Sequence, residues 1–442
     1  MNQRFFRELV KSIVTATLVL ISESVFAVEP DFLPLPHRTE DFASFCNFVE
    51  TEYAYFDVKS VDWKRACDFY AAKVGSATTR NAYISLLETA LGELYDAHAH
   101  LGTNTATSPR LVPSQIDLMA SWSGEKALIT DVRASSIGAK TGIRPGVEIT
   151  SIHGEPIETA VASLMPKFLR SNDPAAREWA LQVALAGRRD RATVALLTKA
   201  SEETRVIEFA PVFNAKKALL SHQRLGAKND VGYIRIHNSL GNAALVQTFD
   251  DALAILQGVH ALVLDLRDTP SGGNSSVARG ILGRFVASSL PYQRHELVSE
   301  FRATGIRRAW VEYVSPRAPL PAFKASVVVL VGPWTGSMGE GLAIGFDAAI
   351  GAPVVGRPMA HLLGALGEQV LPHSKIVVRV PTEKLFHVNG TPREAFVPCA
   401  LIEPARAVAG DDWELQQVVR WAASLPATHA SNTSTFSDGR CR

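Results

Sequence analysis

The sequence predicts a mixed α/β protein, in which a helical region and a small β domain precede a larger α/β domain. Three changes in apolar spacing along the chain support this fold class. Apolar residues first recur at helical spacing, then alternate as in short strands from about Val112 to Val212, and finally form strand and helix pairs from about Lys217 to Ala423. The predicted boundaries are 28–103 for the helical region, 104–215 for the β domain and 216–425 for the α/β domain.

The composition is that of a folded protein without a dominant charge. The chain has 442 residues, 47% of them hydrophobic and 20% charged, with 45 basic and 44 acidic side chains and a formal net charge of +1. This length exceeds one typical domain. Because the balanced charge creates no field that attracts nucleic acid or an anionic membrane, we expect neither as a partner.

The N-terminus is organised like a secretory signal peptide. Arg4 and Arg7 precede an apolar core from Ser12 to Ile21, and Val25–Ala27 offers small residues for cleavage. We therefore predict a signal peptide at 1–27 and an exported protein, periplasmic or secreted. The apolar core is shorter than the roughly 20 residues of a membrane helix, and no other transmembrane run occurs in the sequence.

Helical spacing marks the region after the signal, where apolar residues recur three or four positions apart. They are Phe42, Phe45, Phe48 and Val49, then Trp63, Ala66, Cys67 and Tyr70, then Ile84, Leu87, Ala90, Leu91 and Leu94. The region closes with Asp96, His98 and His100. These are metal-ligand types, but no third ligand cluster lies nearby in the sequence, so no metal site is predicted.

Export permits disulfide bonds, and the four cysteines form two candidate pairs. Cys46 and Cys67 lie close together in the sequence, and Cys399 and Cys441 form a second pair. Either pair is compatible with a disulfide, and free buried thiols are the alternative. No Cys-x-x-Cys or Cys/His metal spacing occurs.

Strand patterns define the two later domains. The β domain has predicted strands at Ala127–Val132, Val147–Ile152 and Thr193–Leu197. In the α/β domain, strands alternate with helical patterns, as in a sheet with crossover connections. Its predicted strands are Val231–Ile236, Ala261–Leu266, Val327–Val331, Pro353–Gly356 and, as a late edge strand, Ile376–Val380. Between the first two strands, a helix is predicted from its apolar face of Ala244, Leu245, Phe249, Leu253 and Leu256. The last residues, 426–442, are polar and predicted to be disordered.

The strand Val327–Val331 leads into an informative turn. Gly332 and Pro333 end the strand, and small residues flank Ser337 before a helical pattern begins. A serine at a helix start has backbone N–H groups near it, which acyl transfer requires when a carbonyl oxygen becomes an oxyanion. Ser337 is therefore a candidate nucleophile, and the alternative is that it only caps the helix.

A second loop with adjacent glycines follows the strand Ala261–Leu266. It runs from Arg267 to Ser275, and its Gly272-Gly273 pair lets backbone N–H groups point into open space. The loop lacks the Gly-Lys-Ser ending of a phosphate-binding loop and any Rossmann spacing, which argues against a phosphate cradle. Considered alone, the loop is better interpreted as an ordinary glycine turn.

The segment Ala139–Ile157 resembles the core of a PDZ domain. A helix of small residues leads through Gly142–Gly146 (Gly-Ile-Arg-Pro-Gly) into a strand and an Ile152–Gly154 hairpin, with Val147-Glu148 where PDZ domains of exported proteases usually carry Gly-Asp. The resemblance implies that polypeptides bind by adding a strand to a sheet edge, often through their C-termini. A small β domain that only packs on its neighbour is the alternative.

Three motifs in order resemble the exported C-terminal processing peptidases and tricorn-like proteases. They are the strand Gly232–Ile236, the loop Leu264–Asn274 (Leu-Asp-Leu-Arg…Gly-Gly-Asn) and the turn Gly336–Glu340 (Gly-Ser-Met-Gly-Glu). With the PDZ-like segment and helical region before them, the resemblance covers nearly all of the chain after the signal. It implies a crotonase-like or ClpP-like α/β domain and a serine peptidase that cleaves polypeptides.

The resemblance assigns roles to individual residues. Ser337 matches the nucleophile, and the amide of Met338 with one from Gly272 or Gly273 matches the oxyanion hole. Which glycine donates stays open, because the loop is one residue longer than the common family form.

The base differs between branches of this family, which use either a lysine about 25 residues after the serine or a histidine from the helical region. No lysine follows Ser337 at that spacing, whereas Leu94–His98 resembles the tricorn-like segment Leu-x-Asp/Ser-x-His. The resemblance therefore implies His98 as the base, with His100 as a rival and with Ala97 where that branch carries a serine.

Glu394 matches the carboxylate that orients the base, because Gly390–Glu394 followed by Val397-Pro398 resembles the family's Gly-x-x-x-Glu…Val-x-Pro segment. No metal or organic cofactor is implied. A noncatalytic protein that binds peptides or lipophilic ligands on the same scaffold is the alternative, motivated by Ala97 and the altered glycine loop. A crotonase-like acyl-CoA enzyme fits export poorly, since CoA thioesters are cytosolic metabolites.

Overall fold

The computed structural model describes residues 32–134, 136–198, 204–209, 218–402, 412–425 and 441. The predicted signal peptide at 1–27 lies outside these residues, as does the predicted tail at 426–442 apart from Cys441. No helix in the described part is long and apolar enough to cross a membrane. Within these ranges the chain forms three β-sheets flanked by helices, so the predicted mixed α/β class is confirmed.

The helical region forms as predicted. It comprises α1 (Leu35–Glu52), α2 (Trp63–Ala71), α3 (Arg80–Leu91) and the short strand β1 (His100–Leu101), with 3-10 turns at Val74–Ser76 and Gly92–Leu94. Side-chain oxygens of Asp62 and Thr79 accept from the amides of Arg65 and Ala82, which caps α2 and α3. The predicted apolar positions meet in one core, and a Cys46–Cys67 disulfide joins α1 to α2.

The second region is an antiparallel sheet with three helices among its described residues. Its elements are β2 (Leu118–Ser123), β3 (Lys126–Val132), α4 (Ile137–Lys140), β4 (Glu148–Ile152), β5 (Glu155–Pro156), α5 (Ile157–Ala162), α6 (Pro174–Ala186), β6 (Thr193–Thr198) and β7 (Thr204–Phe209). The strand order is β2-β3-β4-β6-β7, with β5 paired to β4. The three predicted strands are confirmed. His153 and Gly154 adopt φ of 52° and 84°, as a tight hairpin between β4 and β5 requires.

The third region contains a mostly parallel sheet with helices on both faces. Its elements are β8 (Leu220–Leu225), β9 (Val231–Ile236), α7 (Leu245–Ile255), β10 (Ala261–Asp265), α8 (Ser275–Leu282), β11 (Leu290–Leu297), α9 (Val298–Thr304), β12 (Arg308–Val314), β13 (Ser326–Val331), α10 (Met338–Ile350), β14 (Val354–Gly356), β15 (Ala365–Val370), β16 (Val377–Phe386), β17 (Ala400–Leu401) and α11 (Trp413–Ala422). The sheet order is β17-β14-β13-β10-β9-β8, parallel except for β8. Because α7, α8 and α10 cover one face and α11 the other, β13 is buried along its whole length.

A further sheet joins the first and third regions. In it β16 pairs with β1, β11 and β15, and β12 extends β11. The prediction that Ile376–Val380 is a late edge strand was therefore wrong. The side chains of Ile376, Val378 and Val380 pack into the core of the helical region, so this apolar run reflects contact between distant parts of the chain.

Candidate active site

Ser337 lies in a tight turn between β13 and α10. It adopts φ 51° and ψ −116°, a conformation that non-glycine residues rarely occupy and that costs of order 1–3 kcal/mol. Its amide donates to Oε2 of Glu340 at 2.7 Å, as in one half of a capping box. Strained strand-to-helix turns of this kind present nucleophilic serines in α/β-hydrolases.

The loop after β10 packs directly against this turn. Because β10 and β13 are adjacent parallel strands, their carboxyl ends lie at the same edge of the sheet. The amide of Thr269 donates to the carbonyl oxygen of Trp334 at 3.1 Å, and that of Gly336 donates to Thr269 at 3.2 Å. These bonds place the Gly272-Gly273 segment beside Ser337.

Gly272 approaches Ser337 so closely that a larger residue does not fit. A Cβ at Gly272 would lie 2.4 Å from the Cβ of Ser337 and 2.6 Å from the nitrogen of Met338, and the φ of Gly272 is 61°. The amide of Gly272 donates to the carbonyl oxygen of Thr269 at 3.1 Å. The amide of Gly273 has no hydrogen-bond partner among the described residues, and Met338 is in the first turn of α10, where amides lack intrahelical partners. The available donors are thus those of Gly273 and Met338.

Glu340 is fully buried behind the turn. Its Oε2 atom also accepts from the amide of Leu362 at 3.3 Å, so one oxygen holds both the turn and the segment 357–364 that follows β14. Burial raises the pKa of Glu340 to about 7, although the positive charge of Arg393 acts in the opposite direction. The other carboxylate oxygen is buried without a hydrogen-bond partner in the described chain.

Arg393 binds carbonyl oxygens of the same two segments. Its guanidinium donates to Leu362 and Gly364, both at 2.7 Å, and to Ser337 at 3.5 Å. The residue is only 3% exposed. Arg393 and Glu340 therefore contact opposite polar groups of the same backbone.

His98 extends from the helical region to the segment 357–364. Its ring is buried, with Nδ1 2.6 Å from the carbonyl oxygen of Leu363. Burial, with a contribution from the nearby charge of Arg393, lowers the pKa of His98 to about 3. Asp96 accepts from the backbone amide of His98 at 2.8 Å and from the hydroxyl of Tyr53 at 2.9 Å, so Asp96 orders the segment and not the imidazole.

Glu394 lies next to Arg393 in the 3-10 turn Arg393–Ala395. Burial raises the pKa of its carboxyl group, and its Oε2 atom is buried without a partner among the described residues. In the part of the chain that the structure describes, no hydrogen bond joins the side chains of Ser337, His98 and Glu394. They are connected instead through Arg393 and the segment 357–364.

Two further histidines lie close to these residues. Nδ1 of His100, the rival base, is 2.8 Å from the carbonyl oxygen of His98. His361 is not among the residues predicted from sequence; its φ is 53°, and its Nδ1 lies 2.7 Å from the carbonyl oxygen of Glu394. Its position 24 residues after Ser337, near the lysine position of the other branch, is the signal that could have identified it.

A cavity of about 1230 Å³ opens beside the site. Its wall combines the helical region, the second region and the segment 357–364, with Ala97, His100, Met119, Trp179, His361 and Leu363 among the lining residues. The volume exceeds the roughly 300–1,000 Å³ of small-molecule pockets, so a stretch of polypeptide fits. No cluster of three or more His, Cys, Asp or Glu side chains suited to a metal ion occurs among the described residues.

The edge strand β2 borders this cavity and is already bonded along its outer side. Gln182 donates to the carbonyl oxygen of Ala120, and the amide of Trp122 donates to Glu178 at 3.0 Å. Both side chains belong to α6. The backbone groups that a strand-adding peptide requires are therefore occupied by side chains of the same chain.

Comparisons with known proteins show which families and folds this chain is similar to. The model of peptidase family S41 matches residues 230–396, and that of the tricorn protease C1 domain matches residues 34–92. Similar solved structures include mature CPAF, with a TM-score of 0.55, 14% identity and coverage of 83% of this chain and 92% of the other. Another is the photosystem II D1 C-terminal processing protease, with a TM-score of 0.55, 16% identity and coverage of 89% and 99%. No protein of curated function matches the sequence.

Proposed function

We propose that the chain is a serine peptidase of family S41 and that it cleaves polypeptides with Ser337 as nucleophile, His98 as base and Glu394 as the carboxylate that orients the base. The observation that carries this proposal is the strained turn of Ser337 with Gly272 packed against it. Acyl transfer requires a presented hydroxyl beside preorganised amide donors, and this turn supplies both.

The oxyanion hole in this proposal consists of the amides of Met338 and Gly273. The amide of Gly272 is engaged with Thr269, so Gly272 contributes through its small size and its left-handed backbone. Of the two glycines that the longer loop leaves open, this proposal therefore takes Gly273 as the donor. Both donors are main-chain groups on rigid element ends, which need little reorganisation during the reaction.

His98 has the chemical form that a base requires. When Nδ1–H donates to the carbonyl oxygen of Leu363, Nε2 carries the free lone pair. The lowered pKa keeps the ring neutral above about pH 4. For Glu394 to orient the base, its Oε2 atom, which has no partner among the described residues, would accept Nδ1–H in place of the Leu363 carbonyl when substrate binds, and its charge would stabilise the imidazolium that forms.

In the proposed reaction, Ser337 Oγ attacks the carbonyl carbon of the scissile peptide bond while its proton passes to Nε2 of His98. The oxyanion accepts from Met338 and Gly273. Collapse of this intermediate breaks the C–N bond, and the amine leaves with the proton from His98. Water then attacks the acyl-enzyme in the same way, which releases the acid and restores the serine.

Substrates in this proposal are exported polypeptides. The disulfides Cys46–Cys67 and Cys399–Cys441 support export, because such bonds persist in oxidising compartments. We assign residues 104–215 to a PDZ-like domain and 216–425 to a crotonase-like or ClpP-like domain, supported by the hairpin at His153 and by the parallel sheet. In this proposal, substrate C-termini add to β2 beside the cavity by displacing the side chains of Glu178 and Gln182 from its backbone.

A fluorophosphonate probe and a peptide assay test the proposal together. The wild-type protein is expected to label, and Ser337→Ala is expected to lose labelling and to lose turnover by at least about 10³-fold. Ser275→Ala, which replaces a serine at the start of α8, is the matched control and should retain both. A folded wild-type protein that neither labels nor cleaves would instead be a binding protein.

A further inference from the structure

We propose that Glu340 and Arg393 are positioning residues that fix the turn of Ser337 against the segment carrying the contact to His98. This inference rests on the proposed function, because it concerns the alignment of the same nucleophile and base. Neither side chain is among the predicted catalytic residues, and neither needs to touch the substrate. Their contacts with the backbone carry the argument.

The two side chains hold both polar backbone groups of the same two residues. Oε2 of Glu340 accepts from the amides of Ser337 and Leu362 at 2.7 Å and 3.3 Å. The guanidinium of Arg393 contacts the carbonyl oxygens of Ser337 and Leu362 at 3.5 Å and 2.7 Å. The nucleophile turn and the segment 357–364 are thus connected at four backbone atoms by two buried side chains.

The same segment sets the position of the base. Arg393 binds the carbonyl oxygens of Leu362 and Gly364 at 2.7 Å, and the carbonyl oxygen between them, that of Leu363, contacts Nδ1 of His98. Three successive carbonyl groups are therefore fixed, two by the arginine and one by the imidazole. Through this segment, Glu340 and Arg393 set where His98 lies relative to Ser337.

A purely structural role explains these contacts poorly. Buried charged side chains normally satisfy one another, as Asp250 and Arg284 do by direct contact near α7 and α8. Within the described chain, Glu340 and Arg393 form no such ion pair, and their charged groups contact backbone atoms of the two segments instead. These contacts surround the strained backbone of Ser337.

The experiment compares Glu340→Ala, Glu340→Gln and Arg393→Ala by fluorophosphonate labelling rate, kcat, KM and thermal stability. Misplacement of a nucleophile by about 1 Å costs about 100-fold, so both alanine variants should lose about that factor in labelling rate and kcat. KM should stay within about threefold, because the substrate-binding groups are untouched. Glu340→Gln should recover most of the loss, since its amide oxygen can still accept from both backbone amides.

Asp250→Ala is the matched control, because it disrupts a buried charged contact away from the site. It should lower thermal stability while its folded fraction labels at the wild-type rate. The proposal is overturned if the alanine variants of Glu340 and Arg393 behave in the same way, with lower stability but an unchanged labelling rate per folded molecule. A wild-type protein that does not label at all would refute the proposed function first, so the two failures are distinguishable.

Discussion

The nucleophile half and the relay half of the candidate site are built in different ways. The nucleophile half, consisting of Ser337, Met338 and Gly272-Gly273, is held by backbone bonds between two adjacent strand ends. The relay half, consisting of His98, Glu394 and the segment 357–364, joins three separate parts of the chain. Within the described residues, no side chain of the relay half bonds to another.

This difference means that the nucleophile half is preformed, whereas the side chains of the relay half must be aligned in the complex. Main-chain donors beside a strained serine keep their geometry whether or not a substrate is present. Side chains from distant segments tighten into hydrogen-bond reach only in the complex, as is common in unliganded enzymes. Steric changes should therefore damage the nucleophile half, whereas the relay half should respond to loss of a proton acceptor.

Removing the base should give the largest effect on the relay half. His98→Ala is expected to lower kcat/KM by about 10²–10⁴-fold, because a serine hydroxyl is a poor nucleophile without a base. Steady-state cleavage of a peptide substrate measures this, with circular dichroism as the check on folding. His100→Ala and His361→Ala should each cost less than about tenfold. A larger loss in His361→Ala than in His98→Ala would move the base to the segment 357–364.

A single methyl group should disable the nucleophile half. Gly272→Ala places a Cβ 2.4 Å from that of Ser337, so the turn must move, and turnover should fall by about 100-fold. Gly258→Ala is the control, because Gly258 has a similar left-handed φ of 78° with nothing within 4 Å of its Cβ position. Both variants should lose about 1 kcal/mol of stability from backbone strain. Equal activity in the two would show that Gly272 does not shape the site.

The contrast between the halves also explains how far the sequence predicts the fold. Buried parallel strands such as Val327–Val331 and helices with a clear apolar face are local patterns, and they form where predicted. The sheet of β1, β11, β12, β15 and β16 is not local, because it pairs His100 with Arg379 across most of the chain. Its strands pair with partners that lie far away in the sequence, so no local pattern identifies those partners and β16 resembles an edge strand in sequence alone.

The same distinction applies to the site. Ser337 and the adjacent glycines follow strands directly, so turn chemistry identifies them as candidates without knowledge of the fold. Arg393 and Glu340 act through backbone carbonyl and amide groups of the segment 357–364, and His361 contacts the backbone carbonyl oxygen of Glu394. Such contacts leave no motif in the sequence, because any residue type can supply a backbone group. Tertiary structure alone reveals them.

His98 of the relay half and Glu340, which is buried behind the turn of Ser337, should affect stability in opposite directions when they titrate. The pKa of His98 is lowered from 6.5 to about 3, so between these values the unfolded chain binds the extra proton and stability rises with pH. The pKa of Glu340 is raised from 4.5 to about 7, so in that interval the folded chain binds the extra proton and stability falls with pH. From about pH 5 to pH 6 the two effects should nearly cancel.

Replacing either group should expose the effect of the other. Over this pH range, His98→Ala should make the free energy of unfolding fall as pH rises, and Glu340→Gln should make it rise, each by up to about 1.4 kcal/mol per pH unit relative to the wild type. Urea denaturation at three pH values measures the slopes. If the free energy of unfolding changes with pH at the same slope in the wild type, His98→Ala and Glu340→Gln, neither group titrates in this way.

The smallest expected effect concerns substrate access along β2, which borders the cavity that the segment 357–364 also lines. Glu178→Ala and Gln182→Ala each remove a side chain that occupies a backbone group of the β2 edge. Because a competing hydrogen bond is worth about 0.5–1.5 kcal/mol, each variant should bind a peptide about two- to tenfold more tightly. Fluorescence anisotropy with a labelled peptide measures this in the Ser337→Ala background, where cleavage is abolished.

Arg177→Ala is the control from the same helix, since its side chain stacks on the ring of Trp122 and not on the β2 backbone. Unchanged affinity in both α6 variants would argue that peptides enter the cavity without adding to β2, and the relay half would then be the part of the site that selects them.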